Sequence, residues 1–281
     1  MPKISIIGIC GNSYFLETDH FHEKGETIVA DSVFEEIGGK GINQAIAAAR
    51  MGASVSFLAA VGDDQDGRNC ILLAEAEKLN ATFCVKKGER TTFAFILTDK
   101  HGNNQVTGYH GAELSVTDTL GFEDEIASSD ILLLQQEVPA EVNETAVQLA
   151  KKHNVKVILN PAPPREISDE LLKEIYMVTP NEQEKKMIKD SRFIQVITTL
   201  GEKGCLINEE NVIPAINVKP VDTTGAGDVF KGVLALCLAE GMDLATACRY
   251  AVTASGISVS RKNVLAAIPY RTEIERRLKN E

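Results

Sequence analysis

The stretch GGKGINQAIAAARMGASVSFLAAVG, residues 38–62, contains a glycine-rich turn, a helix and a buried strand in one continuous unit. Small and apolar residues recur at helical spacing in INQAIAAARMG, and the run SVSFLAAVG is mostly apolar, as strands buried on both faces of a parallel sheet are. Alternation of helices with such strands is typical of α/β proteins. This stretch therefore predicts a parallel sheet covered by helices.

The same alternation continues in both directions along the chain. Further apolar runs predict buried strands at ISIIGI (4–9), ILLLQQE (131–137), VKVILNP (155–161), YMVTPN (176–181) and FIQVITTLG (193–201). Helical stretches lie between the runs, namely RNCILLAEAEKLN, PAEVNETAVQLAKKHN and EQEKKMIKD. Near the C-terminus, GCLINEENVIPAINV predicts a hairpin, and two long helices follow at about 226–240 and 243–260. We predict a mostly parallel central sheet flanked by helices on both faces.

Two segments interrupt this alternation. GETIVADSVFEEI (25–37) and TTFAFILTDKHGNNQVTGYHGA (91–112) both have the composition of strands, and the second predicts a hairpin that turns at HGNN. We expect a small sheet, drawn from about 13–37 and 89–112, that covers the carboxyl edge of the main sheet as a lid. Because no internal repeat or long linker divides the sequence, residues 1–281 are predicted to form a single domain.

Composition restricts the partners and the compartment. The chain has 29 basic and 40 acidic residues, a formal charge of −11, and therefore lacks the positive charge typical of nucleic-acid or anionic-membrane binding. The N-terminal apolar run is too short to cross a bilayer and lacks the layout of a secretory signal. Six scattered cysteines without metal-ligand spacing indicate free thiols. We expect a cytoplasmic protein with neither nucleic acid nor membrane as a partner.

A second glycine-rich stretch, VDTTGAGDVFKG (221–232), precedes one of the long helices. Glycines before a helix let the backbone turn tightly, and the free N–H groups and the dipole of the helix start attract anions. Asp228 lies in the first turn, where a carboxylate beside an anion site suggests a proton acceptor. The alternative is that Asp228 is an ordinary N-cap, for which aspartate is a favoured residue.

Other polar residues follow the predicted strands at GNS (11–13), GDD (62–64), QQE (135–137), NPAP (160–163), TPNEQE (179–184) and TLGEKG (199–204). Ligands of open α/β sheets bind beyond the carboxyl ends of the strands, which indicates one shared site, although strand ends also need turn residues. GGKG lacks the spacing of a phosphate-binding P-loop, and GICGNS (8–13) departs from the dinucleotide fingerprint. A nucleotide-cofactor oxidoreductase is therefore disfavoured.

Two long motifs, in order, resemble the signatures of the ribokinase, or PfkB, family of carbohydrate kinases. They are GGKGINQAIAAARMGASVSFLAAVGDDQDG (38–67) and VDTTGAGDVFKG (221–232), with LNPAP, TPNEQE and TLGEKG between them, so the resemblance covers nearly the whole chain. It implies a ribokinase-like α/β fold and ATP-dependent transfer of the γ-phosphate to a primary hydroxyl of a ribose-like or related sugar. It also implies a homodimer formed through the lid sheet.

The resemblance assigns roles to individual residues. Asp228 would be the base, and the N–H groups of Gly225, Ala226, Gly227 and Asp228 would form the anion hole for the transferring phosphoryl group. The positions that match substrate contacts are Gly38, Gly39, Lys40, Asn43 and Glu137. The positions that match the nucleotide site are Asn181, Thr199, Gly201 and Gly204. Glu184 would reach Mg²⁺ through water, and Asp222 and Thr224 match part of a site for a monovalent cation such as K⁺.

The first strand departs from the family pattern. Gly11 and Ser13 stand where the family has an Asn and an Asp that grip a sugar diol, which puts ribose itself in doubt. Asn12, Glu17 or Asp19 are candidates to replace the lost contacts. A nucleoside or a modified sugar is therefore an alternative substrate. A non-catalytic nucleotide- or sugar-binding protein on a kinase scaffold is a further alternative, disfavoured because the Asp228 motif is intact.

Two later segments depart as well. In the C-terminal loop, Asn263 and Ala267 stand where the family often has a glycine and a small hydroxyl or thiol residue, so we expect K⁺ activation to be weak or absent. Only about a dozen residues separate the helix that starts at TPNEQE from the strand before TLG, where the resemblance predicts an additional helix. The chain is therefore expected to be shortened on that flank.

Overall fold

The structure, a computed structural model, describes residues 1–188 and 194–280. Its strands are β1 (Lys3–Ile7), β2 (Gly11–Thr18), β3 (Ser32–Gly38), β4 (Ser54–Gly62), β5 (Asn80–Lys86), β6 (Phe93–Asp99), β7 (Asn104–Tyr109), β8 (Ile131–Gln135), β9 (Lys156–Asn160), β10 (Met177–Val178), β11 (Gln195–Thr199), β12 (Cys205–Ile207) and β13 (Asn211–Ile213). Its α-helices are α1 (Lys40–Arg50), α2 (Gln65–Ala76), α3 (Val116–Leu120), α4 (Glu123–Ala127), α5 (Ala140–Lys152), α6 (Asp169–Lys173), α7 (Ala226–Ala239), α8 (Leu244–Val259) and α9 (Arg271–Lys279).

Nine of these strands form the main sheet, in the order β13-β12-β11-β10-β9-β8-β1-β4-β5. All pairs from β5 to β11 are parallel, and the hairpin β12–β13 adds an antiparallel edge. The predicted mostly parallel sheet and the C-terminal hairpin are both confirmed.

Strand side chains alternate between two apolar layers, which explains the continuous apolar runs in the sequence. Ile4 and Ile6 of β1 pack in the layer that contains α1, α7 and α8, whereas Ile7 packs on the other face with residues of α5. The neighbouring strand β8 divides its side chains in the same way. The sheet is therefore covered by helices on both faces, as predicted.

The order of the strands reverses around β1. The chain passes from β1 to β4 and β5 on one side and later returns to β8 on the other side of β1. Such a switch point leaves a crevice at the carboxyl ends of the strands, where open α/β sheets bind ligands. The helix α1 begins at this end, and so does the turn that follows β8.

The small sheet has the strand order β3-β2-β6-β7 and extends from the carboxyl ends of the parallel strands of the main sheet. Strands β2 and β3 are inserted between β1 and α1, and β6 and β7 follow β5. The hairpin turn at HGNN is confirmed, since β6 ends at Asp99 and β7 begins at Asn104. The sheet includes Gly11, two residues before the predicted limit at residue 13, and the strand expected at 25–37 begins only at Ser32.

Several elements differ from the sequence predictions. Strand β5 was not predicted because its sequence NATFCVK lies at the sheet edge, is only partly buried and has no continuous apolar run. The stretch EQEKKMIKD forms only a 3₁₀ turn at Glu184–Met187, and its last two residues, 189 and 190, lie outside the described residues. Residues 191–193, including the start of FIQVITTLG, also lie outside them.

Two further observations concern the surface and the thiols. Within 1–188 and 194–280, no helix combines the length and the apolar content that crossing a bilayer requires. Each of the six cysteines is a free thiol, and only Cys84 is not fully buried.

Candidate active site

Helix α7 begins in a backbone conformation that requires glycine. Its N-cap Gly225 has φ 73° in the left-handed region, and a Cβ on this residue would lie 2.5 Å from Cγ1 of Val264. The N–H of Asp228 donates to the carbonyl of Gly225 at 2.9 Å, and that of Ala226 to Thr223 at 3.3 Å. In the described chain, the N–H groups of Gly225 and Gly227 are therefore the donors at this helix start without a backbone acceptor.

The side chain of Asp228 does not cap the helix. Its Oδ1 accepts a hydrogen bond from the Gln44 amide at 2.9 Å, and its Oδ2 accepts one from the Asn43 amide at 3.2 Å. The N-cap is Gly225, so the interpretation of Asp228 as an ordinary N-cap is wrong. Asp228 is only 8% exposed, and the two amides fix both oxygens of its carboxylate.

Two glutamines of this network were missed by the sequence reasoning. Gln135, the last residue of β8, donates from its side-chain amide to Oε1 of Gln44 at 2.7 Å, and both residues are fully buried. A Cβ on Gly8 would lie 2.3 Å from Oε1 of Gln135 and 2.7 Å from Cα of Gly41, so α1 can approach β1 only because both positions are glycine. The signal was present as polar residues that end an otherwise apolar strand in ILLLQQE.

A pocket of about 320 Å³ lies between the small sheet and the starts of α1 and α7. It is lined by the five predicted substrate-binding residues Gly38, Gly39, Lys40, Asn43 and Glu137, and also by Thr224, Gly225 and Asp228. Glu137 accepts the backbone N–H of Lys40 at 2.8 Å, at the start of α1, and its other oxygen lies 3.8 Å from Nζ of Lys40. In the part of the chain that the structure describes, Oδ1 of Asn43 is buried without a hydrogen-bond donor. We call this cavity the acceptor pocket.

The charges in the acceptor pocket are coupled. Burial raises the pKa of Glu137 to about 7; the Lys40 ammonium opposes this rise, and the negative charge of Asp228 adds to it. Burial alone would lower the pKa of Lys40, but the carboxylates of Asp228, Glu137 and Glu184 hold it above its ordinary value. The pocket therefore contains a firmly protonated lysine beside a carboxyl group that titrates near neutral pH.

A second and larger cavity, of about 1010 Å³, lies on the other side of the α7 start. Its lining includes the four predicted nucleotide-binding residues Asn181, Thr199, Gly201 and Gly204, together with Ala226 and Gly227. Gly204 has φ 97°, and a Cβ there would lie 2.0 Å from the carbonyl oxygen of Ile213, so this turn requires glycine. We call this second cavity the nucleotide cleft, after the binding predicted for its lining residues. The two cavities lie on either side of the start of α7, where Gly227 lines the nucleotide cleft and Asp228 lines the acceptor pocket.

Asn181 and Glu184 hold each other in place. The backbone N–H and the side-chain amide of Asn181 donate to the two oxygens of Glu184 at 2.9 and 2.8 Å, and Oδ1 of Asn181 accepts the N–H of Glu184 at 2.8 Å. Glu184 is 8% exposed, so it is not a surface side chain. Its oxygens keep further lone pairs, which fits a contact to Mg²⁺ through water. Among the described residues, no cluster of three or more His, Cys, Asp or Glu could hold a metal directly.

Comparison with known proteins identifies the family. Residues 1–271 match the model of the pfkB family of carbohydrate kinases. The chain belongs to this family. It is 34% identical to the ribokinase of Haemophilus influenzae over an alignment of 294 positions, gaps included, that covers 96% of each chain. The crystal structure of ribokinase from Thermotoga maritima is similar over 100% of both chains, with 34% identity and a TM-score of 0.87. A structure of Arabidopsis thaliana ribokinase complexed with ribose and ATP has 28% identity and a TM-score of 0.84 and covers 99% of this chain and 98% of that one.

In this PfkB-family carbohydrate kinase, the two positions at which the sequence departs from the expected sugar contacts, Gly11 and Ser13, lie in β2. A Cβ at Gly11 would lie 2.1 Å from the carbonyl oxygen of Thr92, so position 11 has no room for a side chain. Ser13 lines the acceptor pocket beside Gly38, where a Cβ would lie 3.1 Å from the serine Oγ. Position 13 therefore offers a hydroxyl to the acceptor pocket.

Of the three residues that the sequence offered as alternative substrate contacts, only Asn12 lines the acceptor pocket. The amide of Asn12 donates to Glu35 at 3.1 Å and to Asp66 at 2.9 Å. Glu17 accepts the hydroxyl of Ser32, Asp19 pairs with Lys100, and neither Glu17 nor Asp19 is among the described residues that line the acceptor pocket. Among the described residues, Oδ1 of Asn12 is buried without a hydrogen-bond donor, so Asn12 offers the pocket an acceptor, whereas Glu17 and Asp19 do not line it.

The loop in which the resemblance predicts a monovalent-cation site contains a residue in the left-handed conformation. Asn263 adopts φ 68°, the left-handed conformation that a glycine would supply, and Asn tolerates it better than most residues. The N–H of Thr224 donates to Oδ1 of Asp222 at 2.9 Å, and Thr224 lines the acceptor pocket, whereas Asp222 is not among the described residues that line either cavity. Ala267 is buried and offers no hydroxyl to a cation.

Proposed function

We propose that this family member is an ATP-dependent kinase that transfers the γ-phosphate to a primary hydroxyl of ribose or a closely related small sugar. The observation that carries the proposal is the position of Asp228, a buried carboxylate at the junction of a nucleotide-sized cleft and a sugar-sized pocket. The relatives named ribokinase support ribose as the first candidate, and the structure with ribose and ATP supports ATP as the donor.

In the proposed reaction, Asp228 orients the acceptor hydroxyl and receives its proton as the hydroxyl oxygen attacks the γ-phosphorus. The amides of Asn43 and Gln44 hold the carboxylate in one orientation, so that the attacking oxygen is aligned before the reaction begins. The N–H groups of Gly225 and Gly227, which have no backbone acceptor in the described chain, stabilise the charge on the transferring group together with the dipole of α7. The N–H groups of Ala226 and Asp228, also predicted for the anion hole, donate instead to the carbonyls of Thr223 and Gly225. A magnesium ion near Glu184 would neutralise phosphate charge.

Sugar recognition is assigned to Lys40, Asn43 and Glu137, with the backbone of Gly38 and Gly39 approaching the substrate closely. Asn43 offers a buried acceptor without a partner in the described chain, and Lys40 and Glu137 offer a donor and an acceptor 3.8 Å apart. A second candidate substrate is a nucleoside or a modified sugar. It is favoured by the apolar face that Phe15, Ile96 and Val106 of the small sheet turn toward the pocket.

We further propose that residues 1–281 form one domain, that the small sheet acts as a lid over the acceptor pocket, and that the protein is a homodimer joined through this sheet. Val33, Phe95 and Tyr109 of the small sheet are large apolar side chains that remain exposed in the single chain, which supports burial against a second copy. A monomeric mass in light scattering at micromolar concentration would rule out the dimer.

The test is ADP release from Mg-ATP across a panel of pentoses, 2-deoxyribose, keto sugars, sugar acids and nucleosides, with and without K⁺. We expect turnover on ribose or a close relative that is lost in Asp228→Asn. If ATP binds but no compound in a broad panel is turned over, the protein is a binding protein on a kinase scaffold and the proposal fails. Turnover on a nucleoside in preference to every free sugar would establish the second candidate.

A further inference from the structure

Lys231 is a buried lysine of the second signature to which the proposed reaction gives no role. It lies in α7, three residues after Asp228, and is only 5% exposed. Lysine is almost never fully buried unless it is paired, because removing its charge from water is costly. Within the described residues its ammonium makes one hydrogen bond, to the carbonyl of Gly227 at 3.2 Å, and no ion pair within 4 Å. Two of its three N–H donors therefore have no protein acceptor in this part of the chain.

Helix geometry directs this side chain toward the phosphoryl-transfer site. Successive residues of an α-helix are rotated by about 100°, so the direction of Lys231 lies about 40° from that of Gly227, on the side toward Asp228. Side chains on a helix also point back toward its N-terminus. A Cβ on Gly227 would lie 3.2 Å from Nζ of Lys231, so the ammonium lies beside the first turn of α7. Lys231 is not among the described residues that line either cavity, but its ammonium lies directly behind Gly227, which lines the nucleotide cleft.

The charges around Lys231 favour an anion at this place. Burial lowers the pKa of Lys231 below its ordinary value, and the carboxylates of Asp228 and Glu184 oppose this decrease without forming an ion pair with it. The ammonium is therefore poorly solvated, and the two nearby carboxylates offset only part of the free-energy cost of burying its charge. A phosphate group that accepted its two remaining N–H donors would complete the compensation.

We propose that the ammonium of Lys231 is a catalytic contact to the γ-phosphoryl group of ATP. This inference rests on the proposed function. In the reaction, the bond between the γ-phosphorus and the bridging oxygen of ADP breaks while the bond to the acceptor oxygen forms, and the acceptor proton passes to Asp228. Lys231 transfers no proton and donates hydrogen bonds to the non-bridging oxygens, where a fixed positive charge stabilises the transition state.

The test compares nucleotide binding, which does not require the sugar to be known. Affinities for Mg-ADP and for the non-hydrolysable ATP analogue Mg-AMP-PCP are measured by calorimetry in the wild type, Lys231→Met and Lys231→Arg. Lys151→Met is the matched control, because Lys151 is an exposed lysine on α5 that pairs with Glu174 away from both cavities. In Lys231→Met we expect AMP-PCP to bind about 10-fold more weakly and ADP to bind within about 2-fold of the wild type, since only the γ-phosphate loses a charged contact. Lys231→Arg should restore part of the loss.

Two further readouts separate this contact from a purely structural role. With the substrate found in the panel, kcat of Lys231→Met should fall about 100-fold, the size seen when one charge-stabilising donor is lost. The Tm of the nucleotide-free protein should rise, because an incompletely paired buried charge has been replaced by an apolar side chain of similar length. The inference is overturned if the ratio of the AMP-PCP and ADP affinities is unchanged in Lys231→Met, or in Lys231→Gln should the methionine variant fail to fold. A wild type that binds neither nucleotide would instead contradict the proposed function.

Discussion

The titration of Glu137 gives the most quantitative prediction. Its pKa is raised from 4.5 to about 7, chiefly by burial, so ionising this carboxyl in the folded protein is unfavourable. The difference of about 2.5 pKa units corresponds to about 3 kcal/mol, at 1.36 kcal/mol per unit. The perturbation that isolates this effect is Glu137→Gln, because glutamine keeps the oxygen that accepts the N–H of Lys40 and cannot ionise.

The sign follows from the two protonation states. Below about pH 4.5 the carboxyl is protonated in both the folded and the unfolded protein, so its titration contributes nothing to the free energy of unfolding. As the pH rises from about 4.5 to about 7, the unfolded chain ionises first, and the folded protein is destabilised progressively. Above about pH 7 the full destabilisation, about 3 kcal/mol, is present.

We therefore expect Glu137→Gln to unfold at a higher urea concentration than the wild type at about pH 8 and at a similar or lower one at about pH 5. The pKa of about 7 already includes the hydrogen bond from Lys40, so the expected gain at high pH is the full value of about 3 kcal/mol. The difference between the two proteins removes the contributions of titrating groups that do not interact with Glu137. Parallel stability curves over this pH range would refute the assignment of the titration to Glu137.

Three further predictions concern the site. Gln44→Leu removes the 2.9 Å hydrogen bond to Asp228 and leaves the amide of Gln135 unpaired. Because a charged hydrogen bond contributes about 1.5–3 kcal/mol, kcat should fall about 10- to 100-fold, with little change in the KM for ATP. An unchanged kcat would contradict the positioning role of Gln44. Ser13→Asp places a carboxylate in the acceptor pocket. If ribose is the substrate, this carboxylate should lower the KM for ribose at least about 10-fold, whereas a higher KM would favour a substrate with fewer hydroxyl groups. Replacing Na⁺ by K⁺ should change kcat less than about 2-fold, because Ala267 offers the cation no hydroxyl. Strong activation by K⁺ in steady-state assays would show that the loop binds K⁺ without a hydroxyl at position 267.

The architecture could be predicted because the sequence pattern and the final environment agree. The run SVSFLAAVG is apolar because β4 is covered on both faces. The backbone itself requires the glycine before α7, since Gly225 has φ 73°. Strand β5 escaped prediction because an edge strand needs apolar residues on only part of its surface. The short helices α3, α4 and α6, five residues each, have too few turns to show a helical period.

The site could be predicted only in part. The residues that the family motifs predicted to bind substrate all line one pocket, and those predicted to bind the nucleotide all line one cleft. The hydrogen bonds from Gln135 to Gln44 and from Gln44 to Asp228 could not be predicted, because residues 91 and 184 positions apart meet only after the sheet has formed. Burial of Lys231 could not be predicted either, because a lysine in a helical sequence normally indicates a face exposed to solvent.

The most direct test of the account is a paired measurement on the wild type and Asp228→Asn with the preferred sugar and Mg-ATP. The product of the wild type is examined by phosphorus NMR, and ATP binding to both proteins is measured by calorimetry. The account predicts a phosphate ester on a primary hydroxyl and a loss of about 10²- to 10⁴-fold in kcat for the variant, with ATP affinity retained. A product phosphorylated elsewhere, or an Asp228→Asn enzyme that transfers phosphate at nearly the wild-type rate, would contradict it.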